Sequence, residues 1–208
     1  MRFNPIHTLF FLLLLFSSPI FAQNSIQLIP ESSSIRIFGT SNIHDWEMYV
    51  ELQTKIPDYT IPNNTIKDLK DIQFKIEGIK LKSLESTMEK KAHKALKLPS
   101  FPFISFHLNK VTIRNHKANS FNAFAIGTLV ISGQSKDVKL PINGNFLGHK
   151  KLNLMGHIDL KMSDFKIEAP TAFFGAITTS DEIKILYSLD FISKQKLTQD
   201  MLSSNLTP

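Results

Sequence analysis

The chain of 208 residues has no cysteine. That absence excludes disulfides, thiolate chemistry and a lipid-modified amino-terminal cysteine. It is compatible with an oxidising compartment but does not select one. Glycine is scarce, at eight residues, and no glycine-rich phosphate loop or dinucleotide fingerprint occurs. The formal charge of +6 is modest, and the lysines are scattered among acids. With no helix-turn-helix, zinc-finger or RNA-binding motif, no nucleic-acid partner is expected. Beyond the first residues the histidines are His44, His93, His107, His116, His149 and His157. None pair at metal-ligand spacing, so no metal site is expected. Catalytic signatures are equally thin. Ser163-Asp164-Phe165-Lys166 has the S-x-x-K form but lacks the partner motifs. Gly133-Gln134-Ser135-Lys136-Asp137 fails as a nucleophile elbow because Asp137 stands where the closing glycine belongs.

What the chain does have is alternation. Leu152, Leu154, Gly156, Ile158, Leu160 and Met162 interleave with Lys151, Asn153, His157, Asp159 and Lys161. Trp46, Met48, Val50 and Leu52 alternate with Glu47, Tyr49, Glu51 and Gln53, and Ile183, Ile185, Tyr187, Leu189 and Phe191 form a third run. Successive side chains of a strand point to opposite faces, so each run is a strip with one apolar and one wet side. Many such strips in one domain predict an all-β sheet wrapped around an apolar interior, a container more than a catalyst.

The amino terminus reads as an address. Arg2 precedes the apolar stretch Leu9 to Phe16, followed by Ser17, Ser18, Pro19 and a cleavable Ala22. That order is the layout of a secretory signal peptide over residues 1–22. The other reading, an uncleaved anchor, suffers from a stretch short of the ~20 residues a span needs. Removing the leader takes away Arg2 and no acid, so +6 becomes +5. A modestly basic domain favours anionic ligands or a transient membrane contact, weakly and subject to salt screening.

From Ser25 to Ile192 strands dominate. Pro57 to Thr65, with two prolines and two asparagines, reads as a loop. The apolar parity shifts between Ile76 and Ile79, predicting a bulge near Glu77 or Gly78, and shifts again between Leu108 and Val111. One helix is expected from Ser86, with Ser86 and Glu89 at capping-box spacing and Met88, Ala92, Ala95 and Leu96 as its apolar stripe. Its lysines, Lys90, Lys91, Lys94 and Lys97, are either a solvated face or an attractor for a phosphate or anionic lipid surface. Ala123, Ala125 and Gly127 either leave room inside a barrel or mark close packing or a bend at Gly127. Gly133 to Asp137 reads as a hairpin turn, and Ser163 to Ser180 as a long apolar connection. Residues 193–208 read as a loose polar tail.

Two places carry some chemistry. Gly39 to Trp46 packs His44, Asp45 and Trp46 between strands. It is either a polar cluster that orients a headgroup at a barrel mouth, or a structural corner. In the corner reading Asp45 or Asn42 binds backbone N–H groups and Trp46 fills the core. Phe173-Phe174-Gly175 is either an apolar lid or a plug.

These segments line up with a family. Pro30 to Ile37 followed by Gly39 to Trp46 resembles the opening of the YceI-like, polyisoprenoid-binding family. Lys94-Ala95-Leu96-Lys97 with Phe101-Pro102-Phe103-Ile104-Ser105-Phe106 resembles its helix end and following strand. Gly127-Thr128-Leu129, Gly133 and Lys139 resemble its hairpin, and Met162-Ser163-Asp164-Phe165 with Ile167, Pro170 and Gly175 its penultimate segment. Ile29 and Phe101 replace the usual Asp and Tyr, which bears on capping and packing. The resemblance spans about Ile26 to Ile192. It implies an antiparallel eight-stranded lipocalin-like barrel with one short α-helix, occupying residues 23–192. It also implies a periplasmic or secreted, non-enzymatic protein. The pocket would hold a long-chain amphiphile, such as an isoprenoid quinone, a polyprenyl phosphate or a fatty-acid-like lipid, for transport or storage. Strand parity nominates Ile37, Trp46, Met48, Phe106, Leu129, Leu154 and Ile158 as the pocket wall, with His44, Phe173 and Phe174 at a mouth or lid. The rivals are a filled barrel serving as an interaction module, a lipid-modifying enzyme using His44 and Asp45, and an outer-membrane barrel. Nothing in the residues separates a monomer from a homodimer.

Overall fold

The computed structural model describes residues 24–52, 59–61 and 66–193, together with Leu197 and Leu202. The leader reading over residues 1–22 lies outside them. Twelve strands are described: β1 (Asn24–Leu28), β2 (Ser34–Ser41), β3 (Asp45–Val50), β4 (Tyr59–Ile61), β5 (Ile72–Glu77) and β6 (Leu81–Lys82), then, after helix α1 (Ser86–Ala95), β7 (Phe103–Lys117), β8 (Ser120–Ile131), β9 (Gln134–Leu147), β10 (Lys151–Lys161), β11 (Thr171–Ala172) and β12 (Ile177–Ser193).

The hydrogen-bonded order is β5-β7-β8-β9-β10-β12-β2-β3-β6, with β1 continuing beside β12, β4 beside β1 and β11 beside β12. The two end strands of that path are neighbours in sequence, separated only by the 3-10 turn Gly78–Lys80. One bent stave therefore joins both edges of the sheet. Counted that way the wall has eight staves: β2, β3, β5 with β6, β7, β8, β9, β10 and β12. Closure removes the exposed edges that an open sheet must protect. The pairings are antiparallel, and the longest joins Ser120–Asn145 through Ile131–Gln134.

Several local expectations change. The parity shift after Ile76 comes from that 3-10 turn, not from a bulge. Gly78 sits there because a Cβ would lie 2.3 Å from a Leu98 methyl carbon. The shift after Leu108 is a true irregularity, at Leu108/Lys110 against β8. Within the loop expected over 57–65, Tyr59–Ile61 pair with Asn24–Ile26 as β4. The hairpin turn expected over Gly133–Asp137 is shorter: Ser132 and Gly133, both with positive φ, make it, and Gln134 already begins β9. The capping box does not form. Glu85 precedes the helix with no side-chain cap, and the Glu89 carboxylate instead takes Lys82 Nζ at 3.1 Å. The tail is not loose throughout, since Leu197 and Leu202 are buried in the core.

Packing divides the interior into three levels. At one end Phe121, Phe146, Leu152, Phe191, Leu197 and Leu202 belong to a close-packed cluster. At the other, Ile131, Met162, Phe165 and Ile167 form a smaller one against Leu96 and Leu160. Between them the inward residues of β10 and β12, Leu154, Ile158, Ile183, Ile185 and Leu189, are only half-buried. An inward apolar side chain that is not buried faces empty space. The outer wall is polar, with Arg36–Glu47, Lys184–Asp159 and Lys161–Glu182 among its ion pairs. This polarity, wet outside and apolar inside, is the reverse of a transmembrane barrel. Among the described residues no helix is long and apolar enough to cross a membrane.

Three cross-strand pairs place a glycine opposite an aromatic ring: Gly39–Trp46, Gly144–Phe121 and Gly156–Tyr187. A Cβ on Gly39 would lie 2.1 Å from the Trp46 ring, and one on Gly144 2.2 Å from the Phe121 ring. Each ring therefore lies flat on the wall where the side chain is missing. Gly127 is the close-packing alternative realised, because its Cβ would meet the His107 carbonyl oxygen at 2.1 Å. Gly39→Ala is expected to cost about 1–3 kcal/mol. It should also shift the emission of Trp46, the one tryptophan of the chain. Urea titration followed by fluorescence measures both; unchanged emission and midpoint would show that the ring does not depend on the glycine.

Candidate functional site

The half-buried interior residues surround a cavity of about 670 Å³. Its floor is the close-packed end, where Ile26, Leu69, Phe121 and Phe191 line it. Its wall is aliphatic and aromatic: Ile35, Ile37, Met48, Leu140, Leu154, Ile158, Ile183 and Ile185 project from five different strands. From Phe191 to Thr179 along β12, both of them lining residues, the cavity runs roughly 30 Å for strands tilted as in an eight-stranded barrel. The volume lies within the range of known small-molecule sites.

Two phenols, Tyr59 and Tyr187, line this wall. Tyr187 donates its hydroxyl to the Pro141 carbonyl across Gly156. Proline at 141 has no N–H to give the ladder, and the β9–β10 pairing runs only from Lys151–Leu147 to Met155–Asn143. The Tyr187 bond occupies that carbonyl where the ladder stops. Burial pushes the Tyr187 phenol well above its ordinary range, and Tyr59, its ring tilted against Phe74 with centroids 4.8 Å apart, upward as well. Tyr187 thus adds a hydroxyl to the interior without adding a free polar group.

Three segments form the mouth. The β2–β3 turn is organised by Ser41, whose hydroxyl donates to the His44 carbonyl at 2.7 Å and accepts the His44 N–H at 3.1 Å. Asn42 reaches across to segment 176–178, donating to the Ala176 carbonyl at 2.9 Å and accepting the Thr178 N–H at 3.0 Å. Helix α1 contributes Met88 and Ala92 to the cavity, and none of its residues is fully buried. Lys91 Nζ donates to the Thr171 carbonyl at 3.0 Å, tying the helix to the third segment, Pro170 to Ile177.

All seven residues nominated by parity, Ile37, Trp46, Met48, Phe106, Leu129, Leu154 and Ile158, line the cavity. His44 and Phe173 are at its mouth; Phe174 is not on the lining and points into solvent. Of the two readings of Gly39 to Trp46, the structural features dominate. Asn42 binds a backbone N–H as the corner reading expects, that of Thr178, while Ser41 rather than Asp45 binds the turn's own N–H groups, and Trp46 Nε1 donates to the Thr40 carbonyl at 3.1 Å. His44 Nδ1 lies 2.8 Å from the Asp45 backbone carbonyl, and both residues are exposed. The S-x-x-K residues part: Ser163 Oγ donates to Asp181 Oδ2 at 2.5 Å, while Lys166 is exposed. Those hydroxyl and backbone bonds from Ser163 hold the Asp181 carboxyl below its usual range. The sequence reading missed two parts of the wall. The inward residues of β12 were legible as an alternating run, and Met88 and Ala92 as a helical stripe. Nothing local showed that the stripe borders a cavity.

A model of the YceI-like domain matches residues 27–191. Among solved structures, a polyisoprenoid-binding domain from Saccharophagus degradans implicated in plant cell wall breakdown superposes with TM-score 0.61 at 10% identity, covering 82% of this chain and 98% of that one. BcnA of Burkholderia cenocepacia superposes with TM-score 0.57 at 14% identity, covering 79% and 99%. The YceI protein of Campylobacter jejuni gives TM-score 0.50 at 20% identity, covering 69% and 93%. At these identities the likeness is one of fold. No curated protein matches the chain.

The raised phenols set the alkaline behaviour. A group whose pKa is higher folded than unfolded contributes stability that is complete below its unfolded pKa, about 10 for tyrosine, and is lost as pH rises through the folded value. Stability should therefore fall above about pH 10. A phenolate absorbance titration should show late-ionising tyrosine, the latest of which Tyr187→Phe removes. Titration of every tyrosine near its ordinary value would contradict the buried placement.

Proposed function

We propose, on the premise that the chain belongs to the YceI-like domain family, that it is a lipid-binding barrel protein, exported and holding one long-chain amphiphile for transport or storage. The observation that carries this reading is the row of inward apolar side chains left half-exposed along a continuous cavity. A filled barrel would have buried them. The name of the Saccharophagus relative, a polyisoprenoid-binding domain, supports an isoprenoid ligand. Export rests on the signal-peptide layout of residues 1–22.

Binding would work by desolvation. Each methylene moved from water to the wall contributes about 0.8 kcal/mol in gross terms. Immobilising the ligand and ordering its chain offset a large share of that. A volume of about 670 Å³ spread along roughly 30 Å leaves a channel about one hydrocarbon chain wide. The ligand then lies extended, tail toward Phe121 and Phe191, polar group at the mouth near Ser41, His44, Thr87 and Thr179. Affinity should rise with chain length until the tail reaches the floor and then level off. Lipid modification by His44 and Asp45 has less support, because both side chains are exposed at the rim and His44 faces a backbone carbonyl.

Native mass spectrometry of the Gln23–Pro208 form, purified without detergent from an exporting host, tests the proposal. A prenyl or other long-chain species at near one per protein is the expected result. Ile158→Trp fills space that is already empty, so it should expel the lipid while leaving the unfolding free energy from urea titration within about 1–2 kcal/mol of the parent. An empty protein that also refuses added quinones, prenyl phosphates and fatty acids would overturn the carrier reading.

A further inference from the structure

Four large apolar side chains stand out of the protein more than any others described: Phe174 at 113% relative exposure, Leu84 at 97%, Phe173 at 76% and Ile43 at 57%. They come from three segments far apart in sequence, and all three meet at the mouth. Ile43 is in the β2–β3 turn, Leu84 precedes the rim residue Glu85, and the two phenylalanines cap the Pro170–Ile177 segment. The large apolar residues exposed on the barrel wall, such as Tyr49, Met155 and Leu186, show only about four-tenths of their surface.

The phenylalanine tip is held outward against local preference. Phe173 and Phe174 have φ of 49° and 56°, and Gly175 has 92°. Left-handed backbone is unfavourable for a residue with a Cβ. The tip keeps it because its base is clamped: Thr171 pairs with Thr178 and Ala172 with Ile177, Asn42 binds Ala176 and Thr178, and Lys91 holds the Thr171 carbonyl. An apolar cavity opens beside Phe173, yet Phe174 points away from it. Helix α1, tied to this segment through Lys91, exposes Lys90 and Lys94, while its one acid, Glu89, is already bound to Lys82. Exposed apolar tips on a rim whose helix also exposes lysines suit a surface that dips into the headgroup region of an anionic leaflet.

We propose that the mouth is a docking surface for a lipid bilayer, with Phe173, Phe174, Leu84 and Ile43 as its inserting tips and the α1 lysines as its charge match. The proposal deepens the carrier reading and rests on it, since a membrane is where an amphiphile bound in the cavity would be collected or delivered. Glu85 and Asp45 also lie at this rim. Insertion is therefore the larger share of the binding and charge the smaller.

The absence of cysteine makes the test clean. Phe174→Cys and, at the far end of the barrel, Leu147→Cys each provide a single site for a nitrobenzoxadiazole label. Vesicles of phosphatidylcholine with and without phosphatidylglycerol, carrying brominated acyl chains, should quench the label at 174 and spare the one at 147. Quenching should be stronger with phosphatidylglycerol and weaken in salt. The double variant Leu84→Ser, Phe174→Ser should lower vesicle partitioning by roughly tenfold or more and slow lipid transfer between vesicles, while the lipid bound per protein stays unchanged. Equal quenching at both positions, or none at 174 with any vesicle, would overturn the docking surface. So would a label at 174 shielded in the absence of vesicles by self-association, which assigns the tips to a second copy. Failure of the carrier reading is separable: docking would persist in a protein that holds no lipid.

Discussion

The open lumen depends on where the large inward rings lie. Trp46, Phe121 and Tyr187 are each paired across the ladder with a glycine, Gly39, Gly144 and Gly156 respectively. With no Cβ opposite, a ring can rest on the wall. With a Cβ there, it must swing into the centre of a barrel only eight staves wide, where one such ring blocks the passage. Vacancy in this protein is thus built by subtraction at three backbone positions. The Tyr187 hydroxyl shows how closely the arrangement is made, since Gly156 alone leaves the gap through which it reaches the Pro141 carbonyl.

A hollow centre sacrifices packing, and the rest of the molecule compensates at the ends. The cluster around Phe121, Phe146, Leu152 and Phe191 closes one end, with Leu197 and Leu202 returned into it from the carboxyl-terminal tail. Leu197 is fixed there by its N–H to the His149 carbonyl at 2.6 Å. The other end has only the smaller cluster of Ile131, Met162, Phe165 and Ile167, and its rim segments are held by polar ties: Asn42 to 176–178, Lys91 to Thr171, and a His93 ring nitrogen 2.8 Å from the Leu81 carbonyl. Such bonds at an exposed rim contribute little each, so this end is the natural place for local opening. Rigidity at the floor and looser attachment at the mouth suit the proposed carrier role, in which cargo enters at one end only.

The chemistry of the lumen is equally one-sided. The Tyr187 phenol is satisfied internally, and the polar groups at Ser41, His44, Thr87 and Thr179 lie at the mouth. A wall so largely apolar discriminates poorly among apolar tails. Selectivity is left to length and to whatever the rim grants a headgroup, since a site built to hydrogen-bond its ligand is what rejects near-analogues.

Strand parity was legible from the residues alone. Ile37, Met48, Leu154 and Ile158 could be assigned inward because the period of a strand is two whatever the strand is paired with. The irregularity at Leu108 was legible for the same reason, and the helix from Ser86 through its apolar stripe. What failed was local chemistry with a distant competitor. The Ser86–Glu89 box lost to Lys82, β4 formed inside a proline-bounded loop because β1 offered it an edge, and Leu197 and Leu202 left a polar tail for an apolar floor. Sequence by itself determined which side of each strand is apolar, because that is a property of consecutive residues. Only the tertiary structure decided that those sides enclose a void and that Phe174 stands outside it, because volume and exposure belong to the closed wall and to no segment of it.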